Sequence, residues 1–279
     1  MTMTSTRRRA ASTARGWFVA VLAAALIAPA AVAAHEPSDI APDLDQLVPS
    51  GLVIDKLRID GLPRFRLGFS SAAANVGAGP LTLHGYRESE AAPTMRVDQL
   101  VDRSDGPRRL VRDVGEMSYV VHPDHKHWHL LGFERYELRD ASGTRSLGTD
   151  RKTGFCLGDR YAIPDAETLP GFSPAPLQGD TCGLGRPDLT SLFAGISVGW
   201  ADRYAPQIEG QYIDITSVRS GNYVLVHRLN TDSRIVESDF TNNASSVRFS
   251  LRWNRQPRIK IIRRCPDSAM CRPPRLSDR

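Results

Sequence analysis

The sequence lacks a second membrane segment besides one apolar run near its start. The core of that run, residues 17–30, has 14 residues, whereas a bilayer-spanning helix needs about 20. Four arginines precede this run and the small residues Ala31-Val32-Ala33 follow it, an order typical of a secretory signal peptide. We predict that residues 1–34 are a cleaved signal, with a retained anchor as the alternative. The mature protein is then secreted or extracytoplasmic, in the periplasm or at the cell surface, without stable membrane insertion.

Strong net charge is also absent once the predicted signal is removed. Residues 35–279 hold 32 basic and 31 acidic side chains, a net charge of +1. Nine basic and two acidic residues fall within 252–279, so the rest of the mature chain is net acidic, at −6. This balance does not predict a nucleic-acid partner. The basic end is interpreted as a solvated tail; docking to an anionic wall polymer or lipid surface is the alternative.

Cysteine is scarce, with four in the chain. In an exported protein four cysteines predict two disulfides. Three pairings are possible in principle. The closeness of Cys265 and Cys271 in sequence favours that pair, which leaves Cys156 to bond with Cys182.

Internal repeats, coiled-coil heptads and convincing amphipathic helices are missing. Short runs alternate apolar and polar residues instead, as at Phe65, Leu67 and Phe69, and Gly, Pro and Asn turns separate them. These signals predict an all-β fold, a β-sandwich core with long irregular loops and few short helices. We place the β-sandwich domain at residues 38–254 and a basic tail at 255–279. Residues 87–109 are interpreted as a loop or an irregular hairpin.

Histidine is concentrated in one place, with four of the seven within residues 122–129. If this stretch is a strand, His125, His127 and His129 point to the same side. Three imidazoles on one face can hold copper(II) or catalytic zinc with an open position. His122 falls outside the alternation. An incidental cluster is the alternative, and no carboxylate has the spacing expected of a cupin or a helical zinc protease.

Several separated motifs occur in a fixed order between about Pro42 and Phe249. They are His125-x-His127-x-His129 followed by Phe133-x-x-Tyr136, Lys152-x-x-Phe155-Cys156-Leu157, Trp200 to Tyr204, Gln211-Tyr212-Ile213-Asp214-Ile215-Thr216, Gly221-Asn222-Tyr223, and Glu237-Ser238-Asp239-Phe240-Thr241-Asn242-Asn243. Together these motifs resemble the lysyl oxidase family, and specifically its microbial secreted branch.

The resemblance implies a copper amine oxidase with a lysine tyrosylquinone cofactor made from its own side chains. The copper ligands of the family fall on His125, His127 and His129, the cofactor lysine on Lys152 and the cofactor tyrosine on Tyr204. Such an enzyme converts primary amines to aldehydes with molecular oxygen and releases ammonia and hydrogen peroxide. Its substrate would be a small amine or a lysine side chain of a secreted or cell-wall protein.

Asp202, two residues before Tyr204, is the predicted general base. A turn aspartate that bonds its local backbone is the alternative.

A second cluster of oxygen ligands is predicted near the end of the domain. Some family members hold a structural calcium there, to which the domain entry contributes a carboxylate and a backbone carbonyl. Calcium takes six to eight oxygen ligands. A polar hairpin turn is the alternative. The predicted calcium ligands are Asp43, Leu44, Glu237, Asp239, Asn242 and Asn243.

Two other functions compete with the amine oxidase. One is a non-catalytic secreted copper-binding β-sandwich protein, which would need neither Lys152 nor Tyr204. The other is a zinc hydrolase, which lacks an obvious partner glutamate beside the histidines because Glu134 lies past them on the other face. The presence of both Lys152 and Tyr204 favours the oxidase.

Overall fold

The computed structural model describes residues 38–122, 125–150, 152, 154–178, 181–206, 208 and 210–273; the predicted signal peptide lies outside them. These residues form 18 strands and one 3₁₀ turn, Ala166–Thr168. The all-β class is therefore confirmed. The strands are β1 (Asp39–Ile40), β2 (Leu44–Gln46), β3 (Ser50–Ile59), β4 (Leu62–Asn75), β5 (Leu81–Tyr86), β6 (Thr94–Arg103), β7 (Arg109–His122), β8 (His125–Leu131), β9 (Glu134–Arg139), β10 (Ser146–Thr149), β11 (Gly154–Phe155), β12 (Tyr161–Ala162), β13 (Ser191–Ile196), β14 (Trp200–Tyr204), β15 (Tyr212–Asp214), β16 (Gly221–Leu229), β17 (Ala244–Arg252) and β18 (Arg258–Cys265).

The strands form three antiparallel sheets. A seven-stranded sheet has the order β11-β8-β7-β6-β5-β13, with β1 paired to β6. A five-stranded sheet has the order β10-β9-β16-β17-β18. A six-stranded sheet has the order β12-β14-β4-β15, with β2 and β3 also paired to β4. The histidine strand β8 thus lies in the first sheet and Tyr204, on β14, in the third.

One hydrophobic core receives side chains from all three sheets. Phe69 on β4, Tyr136 on β9, Phe155 on β11 and Phe249 on β17 are each almost completely buried. The Phe69 and Tyr136 rings meet edge to face with centroids 4.9 Å apart. Alternating strand residues supply these side chains, because every second position of a strand points to the same face.

Of the two interpretations of residues 87–109, the loop is wrong and the irregular hairpin is confirmed. The stretch contains all of β6 and the first residue of β7, and these strands pair antiparallel with a register shift between Val97 and Gln99. Met95, Val97 and Val101 are fully buried, while charged neighbours point outward, as in the ion pair between Arg96 and Asp113 at 2.7 Å. The many charged residues of this stretch made its alternating buried positions, such as Met95 and Val97, difficult to recognise in the sequence.

The stretch predicted as a basic tail contains strand β18, which pairs with β17 and ends at Cys265. The two predicted disulfides, Cys156–Cys182 and Cys265–Cys271, are both present. Within the described part of the chain, no helix has the length and apolar character needed to span a bilayer.

Candidate functional site

Three histidines converge on the face of β8 that the alternation predicts. One ligand nitrogen from each of His125, His127 and His129 lies within 4.8 Å of the others. The Nε2 atoms of His127 and His129 are 2.8 Å apart. His122, at the end of β7, is the strand partner of His125, and their rings are 5.3 Å apart. We call His125, His127 and His129 the histidine cluster.

The two inner histidines have strongly lowered pKa values. Burial, followed by the charges of His125, Arg160 and Lys152, lowers the pKa of His127 to about 4. Burial and the charge of Lys152 lower the pKa of His129 to about 2. Both rings are therefore neutral at neutral pH. Neutral imidazole is the form that binds a metal ion.

Lys152 lies against Tyr204 in the protein interior. Its side chain is only 5% exposed, and its Nζ is 4.9 Å from the Tyr204 ring centroid and 5.1 Å from that of Phe155. Gly210 makes this packing possible, because a Cβ there would lie 2.7 Å from the Lys152 Cα. The predicted cofactor residues, which are 52 positions apart in the sequence, are therefore neighbours.

A second glycine holds the Lys152 segment against the histidine cluster. Gly154 begins β11, which pairs with β8. A Cβ at Gly154 would lie 2.6 Å from the His129 Cβ. Only a residue without a side chain permits this approach, which brings Lys152 beside the histidines.

Asp202 lies between Tyr204 and Arg160, completely buried. The Tyr204 hydroxyl donates to Asp202 Oδ2 at 2.5 Å, and the Arg160 Nε donates to Asp202 Oδ1 at 3.2 Å. Burial raises the pKa of Asp202 to about 7, although both partners oppose the rise. Burial and the Asp202 charge raise the pKa of Tyr204 well above its ordinary value. The local turn interpretation of Asp202 does not describe these contacts.

Glu134 is a second buried carboxyl at this site, which the sequence analysis did not assign to it. Its Oε2 accepts hydrogen bonds of 2.6 Å from the hydroxyls of Ser71 and Tyr136. Ser71 is the direct strand partner of Tyr204, so both side chains lie on the same face of the sheet. Burial raises the pKa of Glu134 to about 7; the Asp202 charge raises it further, and the Lys152 charge lowers it. Glu134 and Tyr136 are two positions apart on β9, so their side chains point to the same, inner face of the sheet. This spacing was the sequence signal that could have placed Glu134 at the site.

The predicted calcium ligands form an oxygen cluster at the entry of the domain. Glu237 accepts hydrogen bonds from the Leu44 N–H at 3.0 Å and from the side-chain amides of Asn230 and Asn243, each at 2.6 Å. The Asn242 amide donates to Asp43 at 2.7 Å. Asp239 makes no such contact with the other predicted ligands. Its carboxylate accepts hydrogen bonds from Thr241 within its own turn. We call Asp43, Leu44, Glu237, Asp239, Asn242 and Asn243 the oxygen cluster.

The fold and this geometry define an all-β protein with three histidines that can hold a metal ion beside a buried lysine–tyrosine pair. The family model described as Lysyl oxidase matches residues 94–265, well over half of the chain. The chain belongs to the lysyl oxidase family.

Curated relatives match about half of the chain. Human lysyl oxidase homolog 1 is 32% identical over 147 residues, which are 50% of this chain and 22% of that protein. Rat protein-lysine 6-oxidase is 34% identical over 140 residues, 49% of this chain and 29% of that protein. Zebrafish lysyl oxidase homolog 3A is 36% identical over 132 residues, 47% of this chain and 16% of that protein. The chain thus matches less than a third of each relative's length.

Proposed function

We propose that this chain is an exported copper amine oxidase that forms lysine tyrosylquinone from Lys152 and Tyr204. It would convert primary amines, either small amines or lysine side chains of secreted or cell-wall proteins, to aldehydes with release of ammonia and hydrogen peroxide. The observation that carries the proposal is the contact between Lys152 Nζ and the Tyr204 ring, 4.9 Å apart, beside the histidine cluster. Placement in the microbial secreted branch of the family belongs to the same proposal.

The histidine cluster fits copper by its donor set. One ring nitrogen from each histidine lies within 4.8 Å of the others. That spacing would let all three bind one ion, because imidazole nitrogens bind a transition metal at roughly 2.0–2.1 Å. Neutral nitrogen donors suit copper(II), which leads the affinity order of divalent first-row metals. Bound there, copper would supply redox and Lewis-acid chemistry to the site.

The protein's own side chains handle the protons of the reaction. Asp202 accepts the Tyr204 hydroxyl proton in a hydrogen bond of 2.5 Å, and Arg160 fixes the other oxygen of that carboxylate. A carboxyl with a pKa near 7 can both take and return a proton at neutral pH. Asp202 is therefore the general base of the proposal.

Lys152 is placed to act as a nucleophile. A lysine amine adds to an electrophile only as the free base. The aromatic rings of Tyr204 and Phe155 enclose its side chain. This packing excludes water and keeps the amine close to the ring that it must reach.

The decisive experiment is peptide mass spectrometry of the chain after aerobic loading with copper. We expect one species that joins the Lys152 and Tyr204 peptides with the mass of the quinone adduct. Lys152→Ala should keep copper at the histidines and lose this species. Lys126→Ala, which changes an exposed lysine on the histidine strand, is the matched control and should form the adduct normally.

Copper at the histidines without the cross-link in the unaltered chain would refute the oxidase. The non-catalytic copper-binding protein would then be the better assignment. Hydrogen peroxide release should depend on both Lys152 and an added primary amine. Release that persists in Lys152→Ala would point to copper chemistry without the cofactor.

A further inference from the structure

The outer face of the five-stranded sheet is strongly basic. Directly opposed residues of an antiparallel pair share a face, and the inward positions are known from buried residues such as Tyr136, Leu225 and Phe249. The register then gives the outward positions on β9, β16, β17 and β18. Eight of them are cations, which we call the basic face: Arg135, Arg139, Arg228, Arg248, Arg252, Arg258, Lys260 and Arg263.

Six of these cations oppose each other directly across the strands. Like charges in directly opposed positions destabilise a sheet, and an arginine cannot shed its charge by deprotonation. Such an arrangement has a cost unless an anion lies across it. The opposed pairs are Arg135 with Arg228, Arg248 with Arg263, and Arg252 with Arg258.

The basic face has little compensating negative charge. Glu137 is the one carboxylate among its described outward positions, and it is bound to Arg139 at 2.7 Å and Arg228 at 3.4 Å. Exposed arginines of the seven-stranded sheet and its loops instead have carboxylate partners. Arg96 binds Asp113, and Arg186 binds Asp188. Four exposed cations of the basic face form no ion pair with a described carboxylate: Arg252, Arg258, Lys260 and Arg263.

Protection of a free sheet edge explains only part of this pattern. Charged side chains on an edge strand prevent pairing with another chain, and β18 is an edge strand. Arg135 and Arg228, however, lie on β9 and β16, inside the sheet. Adjacent strands are about 4.8 Å apart, so the four strands that carry these cations span roughly 14 Å. Ala269 and the Cys265–Cys271 disulfide cover Val224 and Val226 on β16 within that span.

One member of the basic face has a structural task. Arg248 is only 3% exposed, and its guanidinium donates to the backbone carbonyls of Cys271 at 2.8 Å and Ala141 at 2.9 Å. It therefore anchors the chain after the Cys265–Cys271 disulfide. The remaining cations are half-buried or exposed and can reach a ligand.

We propose that the basic face binds a linear phosphate polymer that carries no bases. Arginine, which outnumbers lysine here, presents paired N–H donors that match a phosphate group. The outward positions include no aromatic ring on which a nucleic-acid base could stack. The large apolar residues Val224 and Val226 are fully buried beneath Ala269 and the Cys265–Cys271 disulfide. Ile262 and Met270 are exposed beside this face, but two separate side chains do not form the broad apolar face that inserts into a lipid surface.

This binding is separate from the proposed oxidase. The inner face of the same strands carries Glu134 and Tyr136, so a polymer on the outer face leaves the Lys152 and Tyr204 pair uncovered. Polymer binding needs no metal and no cofactor. Its loss or presence can therefore be measured whether or not the cross-link forms.

Inorganic polyphosphate is the probe, titrated into the full chain at several salt concentrations between about 50 and 200 mM. The test variant combines Arg258→Ala with Lys260→Ala. The control combines Arg96→Ala with Arg186→Ala, which removes the same charge from another surface. We expect the test variant to bind at least about tenfold more weakly and to lose roughly 1.4 from the salt slope, at about 0.7 per lost contact. The control should stay within about twofold of the unaltered chain.

Four outcomes would overturn the proposal. An equal loss in the control would show that net charge alone attracts the polymer. The second is absence of polyphosphate binding at about 150 mM salt. The third is tighter binding to single-stranded DNA than to polyphosphate. The fourth is tighter binding to vesicles of anionic lipid than to polyphosphate. Thermal unfolding checks the fold. The test variant should be at least as stable as the unaltered chain, because loss of the Arg258 charge removes its repulsion with Arg252 on the opposite strand.

Discussion

The histidine cluster and the oxygen cluster differ in what surrounds their donor atoms. In the oxygen cluster, amide and backbone donors already bind the carboxylates of Glu237 and Asp43. In the histidine cluster, ring nitrogens face one another, as between His127 and His129. The oxygen cluster binds its carboxylates internally but leaves the side-chain oxygens of Asn242 and Asn243 buried without a partner, whereas the histidines present neutral nitrogens that suit a transition metal.

The surroundings of the two clusters sharpen this contrast. The histidine cluster adjoins two buried carboxyls, Asp202 and Glu134, with pKa values raised to about 7. The oxygen cluster joins the first segment of the domain to the turn before β17. The first arrangement is suited to proton and electron transfer, and the second to holding chain segments together.

The largest expected effect is loss of metal binding in His127→Ala. Removal of one of three ligands should weaken copper binding by more than about 100-fold, since loss of outer-shell partners alone costs 10- to 100-fold. Copper content and the mass of the cross-linked peptide are the measurements. His84→Ala is the control, because His84 stacks on Phe193 in another part of the same sheet. A normal cross-link in His127→Ala would falsify the ligand assignment.

The sequence predicted the features that depend on local periodicity. Alternation along one strand was enough to place His125, His127 and His129 on one face. The pairing of Lys152 with Tyr204 came from the resemblance to the lysyl oxidase family and not from periodicity. Both disulfides followed from cysteine spacing and elimination. The calcium assignment stays a prediction, and within it Asp239 lies against Thr241 instead of its proposed partners.

Features that depend on pairing between distant strands were missed. Glu134 belongs to the site because Ser71, on β4, joins it to the strand of Tyr204. Strand β18 was assigned to a tail because its many cations resemble a solvated segment. Its alternate residues Ile259 and Ile261 pack against the core, a pattern that becomes decisive only when β17 is known to lie beside it.

The next largest expected effect is on stability, when one buried glutamate from each region is changed to glutamine. The pKa of Glu134 is raised to about 7 from 4.5, so the folded chain keeps a proton that the unfolded chain has released. Stability therefore falls as pH rises from about 4.5 to about 7, by on the order of 3 kcal/mol. Glu134→Gln should abolish this loss in the metal-free chain, because glutamine still accepts from Ser71 and Tyr136 and does not ionise.

The matched variant in the oxygen cluster is Glu237→Gln. Glu237 accepts from three N–H donors, and the glutamine NH₂ group would face some of them. We expect a loss of stability of about 1–3 kcal/mol, much of it independent of pH. Denaturant unfolding at pH 5 and pH 8 measures both variants. Parallel pH profiles for Glu134→Gln and the unaltered chain would remove Glu134 from the proton-handling groups.

The smallest effect is that of calcium on the oxygen cluster. The side-chain oxygens of Asn242 and Asn243 are buried without a hydrogen-bond partner, while their N–H groups bind Asp43 and Glu237. A calcium ion would bind such oxygens, but it would compete with those N–H groups for the two carboxylates. Calcium at about 100 times its dissociation constant would then raise the melting temperature by about 5–10 °C. The measurement uses copper-free chain with calcium or a calcium-selective chelator. Asp43→Asn should abolish the response, whereas Asp188→Asn, on an unrelated surface, should retain it. Equal melting temperatures with calcium and chelator would mean that the oxygen cluster is a hydrogen-bonded turn that joins the first segment of the domain to the turn before β17.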